Sequence, residues 1–111
     1  MLLRAVICFA IVGAAGAAPV TAKDANTDGE KVYAAQKCSL CHSIAGKGNV
    51  KGPLDEVGSK LSDGEIRSWL TDAKGMTEKT HAMRKPAMKS YTLPKADVDA
   101  LSAYLSAMKK K

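Results

Sequence analysis

The sequence predicts an all-α domain in which three helices are separated by two long loops. Three observations predict it. Apolar residues recur at helical spacing in three stretches. Two of those stretches open on a Ser/Thr-x-x-Glu box and the third opens on a proline. Nowhere do β-branched and aromatic residues alternate over several positions, so strand signals are absent.

The first helix is expected to start at Thr27, with Glu30 completing a capping box. Gly29, Val32, Tyr33 and Gln36 then fall on one stripe, and the helix runs into Cys38. The second starts at Ser62, with Glu65 three residues on. Ile66, Trp69, Leu70 and Ala73 share its face, and Gly75 suits the position just past its end. The third begins near Pro94 and carries Val98, Leu101, Tyr104, Leu105 and Met108 as its apolar face. The loop at 46–59 holds four glycines and Pro53, and the loop at 76–93 holds Pro86. Long structureless loops in a small domain are usually functional or else hide elements of their own. Both are accounted for if they wrap a large flat ligand. The lysines at 109–111 are expected to be a frayed helix end, whose charge suits a helix C-terminus.

The chain is 111 residues long, at most one small domain, and its start does not belong to that domain. Arg4 forms a short basic region, an apolar run follows at 5–12, and small residues fill 13–18. This is the layout of a secretory signal peptide, with Val20-Thr21-Ala22 as the cleavage site. The expected division is therefore a signal peptide at 1–22 and a single domain at 23–111, exported to a bacterial periplasm or similar compartment. The apolar run is short against the roughly 20 residues of a membrane span, so no stable span is expected after cleavage. Cys8 is discarded with the signal.

A domain this small buries only about 60% of its unfolded surface and needs a staple. Cys38 and Cys41 are the only cysteines left, and a bridge between them closes a trivially small loop. A buried cofactor would serve instead. The formal charge of +6 favours anionic partners by steering. Nucleic-acid binding is poorly supported, because arginines are not interleaved with aromatics and the chain has one Phe.

Cys38-Ser39-Leu40-Cys41-His42 is C-x-x-C-H, a c-type haem attachment signal. Two thiols must add to vinyl groups on neighbouring edges of one porphyrin. A single helical turn places both sulfurs under the ring and aims the next residue, His42, at the iron as the proximal ligand. Three competitors stand beside this reading. A thioredoxin-like redox pair shares C-x-x-C but belongs with strands. A zinc site needs four ligands, and Cys38, Cys41, His42 and His81 supply them only with Cys41 and His42 adjacent. A chance occurrence is the third.

Around this motif, the sequence resembles the class I, mono-haem cytochrome c family over 27–108. Gly29 and Tyr33 match the small and aromatic helix positions before the haem motif. Gly52-Pro53 resembles the glycine-proline loop after it. Met88-Lys89-Ser90-Tyr91, Leu93 and the following helix resemble the sixth-ligand loop and terminal helix. Lys89 stands where the family commonly has Pro, and Pro94 where it commonly has Ser or Thr.

The resemblance implies a cytochrome c-like fold: three main helices wrapped around one covalently bound haem c, with the first and last helices crossing where Gly29 admits Tyr104. It implies Met88 as the sixth ligand to the iron, with Met83, Met76 and His81 as the alternatives, while Met108 reads as core. It further implies that the backbone of Pro53 accepts the His42 ring N–H, and that Trp69 either reaches a propionate or fills a helix face. Lys47, Lys51, Lys85 and Lys89 are expected near the cofactor, either as ordinary scattered surface lysines or as a docking ring for redox partner proteins with acidic surfaces.

The expected function is that of a monomeric electron carrier with His/Met-ligated haem and no catalytic residues. Two alternatives are a haem subunit of a larger respiratory or dehydrogenase complex, and an open-site sensor or peroxidase. For the last of these, His81 with Arg84 is the sole hint.

Overall fold

The structure is a computed structural model that describes Gly13 and residues 22–111, with side chains from 27 onward. The expected signal peptide, apart from Gly13 and Ala22, lies outside the described residues. Among the described residues, no helix is long and apolar enough to cross a membrane.

Five α-helices make up the described chain: α1 (Ala22–Ala35), α2 (Val57–Lys60), α3 (Asp63–Thr71), α4 (Ala73–Thr80) and α5 (Lys95–Ser106). Between α1 and α2 lie a 3-10 turn, Cys38–Leu40, and two short antiparallel strands, β1 (Ser43–Ile44) and β2 (Lys47–Gly48). The all-α class holds, and α1, α3 and α5 are the three expected helices.

Their boundaries shift for local reasons. Thr27 lies inside α1, because the chain is already helical from Ala22. The helix also stops short of Cys38. Lys37 adopts a left-handed conformation (φ 56), turns the chain off the axis of α1, and leaves Cys38 to open its own turn. At Ser62 the capping box is formed: the hydroxyl accepts from Glu65 N at 3.1 Å, and Ser62 N donates to Glu65 Oε1 at 3.2 Å.

Asp72, rather than Gly75, ends α3. Its carboxylate accepts from Gly75 N at 3.1 Å and so starts α4 at once, inside what the sequence suggests is loop. A Cβ at Gly75 would meet that carboxylate, which would have to turn aside to admit it. Pro94 precedes the first turn of α5 as expected.

The strands escape the sequence signals because each has two residues. They join through Ala45 (φ 51) and Gly46 (φ 77), two left-handed residues in succession, as a tight hairpin requires.

Helices α1 and α5 form the most extensive pair, and α3 packs across α5. The core holds Tyr33, Ile66, Leu70, Val98, Leu101 and Leu105. Leu101 is 1% exposed; burying such a side chain stabilises the fold by about 1.5–3 kcal/mol. The α1–α5 crossing depends on Gly29, since a Cβ there would fall on the Cβ of Tyr104 and the Ala100 carbonyl. Tyr33 and Tyr104 meet edge-to-face beside it, with ring centroids 6.3 Å apart.

The end of the chain is tied down rather than frayed. Gly58 N donates to the Met108 carbonyl at 2.8 Å, Lys109 Nζ to the Gly58 carbonyl at 2.6 Å, and Lys110 N to Ser59 Oγ at 2.7 Å. These bonds hold α2 against the end of α5.

Candidate cofactor site

A cavity of about 920 Å³ opens between the 3-10 turn, α3, α5 and the loop after α4. It sits near the top of the range of ordinary small-molecule pockets, about 300–1,000 Å³. Cys38, Cys41 and His42 line it on one side and Met88 lines it from the later loop. Leu54, Ile66, Leu70, Leu101 and Leu105 give it apolar walls.

The attachment motif is held by backbone bonds. Cys41 N and His42 N both donate to the Cys38 carbonyl, at 3.1 and 2.9 Å, so a single turn carries both thiols. His42 Nδ1 lies 3.1 Å from the Gly52 carbonyl. A carbonyl only accepts, so Nδ1 carries the ring proton and Nε2 keeps its lone pair. The acceptor is therefore Gly52 and not Pro53. Ser43 N donates to the same carbonyl at 3.0 Å, and Leu54 N donates back to Ser43 at 2.9 Å, fastening the glycine-proline segment alongside β1. Burial holds His42 below its ordinary 6.5; the Gly52 bond opposes that shift, and the Arg84 charge adds to it. Burial likewise raises the Cys38 thiol above its ordinary 9.0.

The four methionines part company. Met88 is half-buried, packs against the core cluster and lines the cavity. Met83 is 84% exposed and lies off the cavity. Met76 is buried in α4, and Met108 packs on the core beyond α5; neither lines the cavity. His81 is exposed, adopts a left-handed conformation (φ 54) that ends α4, and also lies off the cavity. Tyr91 N donates to the Leu70 carbonyl at 2.8 Å, which pins the Met88 loop to the end of α3.

Cations gather at the cavity. Exposed Lys51, Lys85 and Lys89 line it as expected, whereas Lys47 does not. Lys37 and Arg84 also line it, which sequence order did not suggest. Arg84 reaches back over Gly52, where a Cβ would strike its guanidinium. Trp69 lines the cavity as well, in keeping with either expectation for it.

The residues fit a covalently held porphyrin. Both cysteines are free thiols on one turn, the imidazole offers Nε2, and the cavity is large and mostly apolar. Tyr33 lines the cavity, and its hydroxyl is buried without a hydrogen-bond partner among the described residues. The zinc reading fares worse: among the described residues, no group of three or more His, Cys, Asp or Glu comes together as a metal site would need.

The family model for cytochrome c matches residues 27–109. No curated protein matches the chain, and no solved structure does.

Proposed function

The chain belongs to the cytochrome c family and carries covalently bound haem c, and from that premise we propose that it is an exported electron carrier whose iron is ligated by His42 and Met88. The single observation that carries this reading is the partition of the methionines. Met88 alone among the methionines of the described residues lines the cavity with Cys38, Cys41 and His42.

When bound, the haem supplies one-electron exchange between its ferric and ferrous states. The protein's own residues do the rest. Cys38 and Cys41 anchor the ring through thioethers. His42 presents Nε2 because its Nδ1 proton is committed to Gly52. Met88 would offer a sulfur from a loop held by Tyr91, and a Met sulfur paired with a His ligand would raise the potential of the bound haem. Leu54, Ile66 and Leu101 exclude water. If His42 and Met88 both hold the iron, no site on it would remain for a substrate, which favours a carrier over an enzyme.

Export rests on the sequence of the first 22 residues, and a monomeric shuttle on the small single domain. The basic border of the cavity suits partners with acidic docking surfaces. The sensor or peroxidase alternative loses its hint, since His81 lies off the cavity that Arg84 lines.

The test is to produce the protein in a host that attaches haem to exported chains. Haem that survives acid–acetone extraction, a sulfur-to-iron band in the oxidised spectrum and indifference to carbon monoxide support the carrier. Ready binding of carbon monoxide by the reduced protein contradicts it and moves the function to an open-site haem protein.

A further inference from the structure

We propose that Asn49 is the positioning residue for His42, holding the Gly52 carbonyl where it receives the imidazole proton. The proposal rests on the reading of His42 as an iron ligand. Its basis is a closed circuit of hydrogen bonds. Asn49 N donates to both the Ser39 and the His42 carbonyls, at 3.0 Å each, and Asn49 Nδ2 donates to the Leu40 carbonyl at 3.3 Å. On its other side, Asn49 Oδ1 accepts from Lys51 N at 3.1 Å, and the Asn49 carbonyl accepts from Gly52 N at 3.1 Å. One half-buried residue thus joins the attachment turn to the segment that carries the acceptor.

The circuit has little slack. Gly52 sits so tightly that a Cβ would strike the Cys41 carbonyl and Arg84. Gly48, just before Asn49, has φ 106, and a Cβ there would meet the His42 carbonyl. The side chain of Asn49 supplies the two bonds that backbone alone cannot. It caps the free carbonyl of Leu40 and closes a tight turn onto Lys51, the kind of local side-chain bond at which Asn excels.

An imidazole that donates its second N–H to a carbonyl is oriented and made more basic, and a more basic ligand favours ferric iron. Removing the side chain of Asn49 loosens the Gly52 carbonyl, weakens the bond to Nδ1 and makes His42 a poorer donor. The reduction potential then rises.

The experiment compares the haem-loaded wild type with Asn49→Ala, Asn49→Ser and the unrelated capping variant Ser62→Ala. Potentiometry gives the reduction potential, and proton NMR gives the exchange rate of the His42 Nδ1 proton. Asn49→Ala is expected to raise the potential and to speed that exchange by about two- to tenfold, the loss of one ordinary hydrogen bond. Asn49→Ser keeps a shorter acceptor for Lys51 N and is expected to fall between; it carries the test if the alanine variant does not take up haem. Ser62→Ala is expected to lower the melting temperature and leave both readings unmoved. Asn49 variants that melt earlier with unchanged potential and exchange overturn the positioning role, as does a Ser62→Ala potential shifted like theirs. His42 ring resonances displaced by ferric iron in the wild type establish the ligand independently, and their absence overturns both readings.

Discussion

Gly29 of α1 and Tyr104 of α5 lie so close that no side chain larger than hydrogen fits at position 29. This approach is the hinge of the fold, because α1 delivers the attachment turn and α5 supplies Leu101 and Leu105 to the cavity. Alanine favours a helix over glycine by about 1 kcal/mol. Overpacking at a tight contact costs about 1–3 kcal/mol and opposes that gain. Since the clash here is with backbone as well as side chain, Gly29→Ala is expected to lower the denaturant midpoint of the holoprotein. A midpoint that rises would show that the helices part at no cost.

Helix α3 depends on the cap just before it, Ser62. Replacing Ser62 by Ala removes the acceptor for Glu65 N and is expected to cost about 0.5–2 kcal/mol in denaturant unfolding. A loss far below that range would mean that packing of Ile66 and Leu70 alone specifies the helix start.

The α3–α5 contact carries a polar network with a defined pH response. The Ser102 hydroxyl and then Arg67 depress Asp63 below its ordinary 3.8, while Lys95 and then Arg67 depress Asp99. Arg67 bridges the two carboxylates, at 2.7 Å from Asp63 and 2.5 Å from Asp99. A carboxyl whose folded value is lowered adds stability above its unfolded value, and that stability is lost as pH falls through the folded one. Melting temperature should therefore fall as pH drops below about 4, and Asp63→Asn should converge on the wild type over that acid range. Curves that stay parallel down to pH 2 would mean that the network contributes nothing.

The cations bordering the cavity should set the charge preference of electron exchange. With Lys85 and Lys89 both changed to Glu, oxidation by ferricyanide at low salt is expected to slow by roughly tenfold, and the effect should shrink as salt rises. Oxidation by a cationic cobalt complex should not slow. Equal slowing with both oxidants would locate the exchange away from these lysines.

How much of this was legible in the sequence differs from residue to residue. The Cys38–His42 motif, the Ser62 box, and Pro94 before the last helix are local patterns, and each appears where the sequence places it. Thr27 shows the weakness of local patterns: a capping box has meaning only where the helix actually begins, and here residues upstream are helical already. Asp72 was readable as a helix cap, with Gly75 three residues on, but the glycine looked like a stop signal.

The hairpin at residues 43–48 is too short for periodicity to register. The partition of the methionines was legible in part: the resemblance singles out Met88 and helical spacing places Met108 in the core, but no local pattern separates Met83 from Met88. Met83 and Met88 are five residues apart in one loop, and it is long-range bonds, from Tyr91 N to the Leu70 carbonyl and from Lys74 N to Ser90 Oγ, that tie the Met88 end of that loop to α3 and α4. The Gly52 acceptor was missed by one residue, since backbone direction within a Gly-Pro pair follows from the circuit around Asn49.

The most direct test of the central claim compares Met88→Ala with Met83→Ala by spectra and potentiometry, with and without carbon monoxide. His42/Met88 ligation predicts that Met88→Ala loses the sulfur-to-iron band, lowers the potential and binds carbon monoxide when reduced, while Met83→Ala behaves as the wild type. A Met88→Ala protein that keeps the band and still excludes carbon monoxide would contradict the assignment.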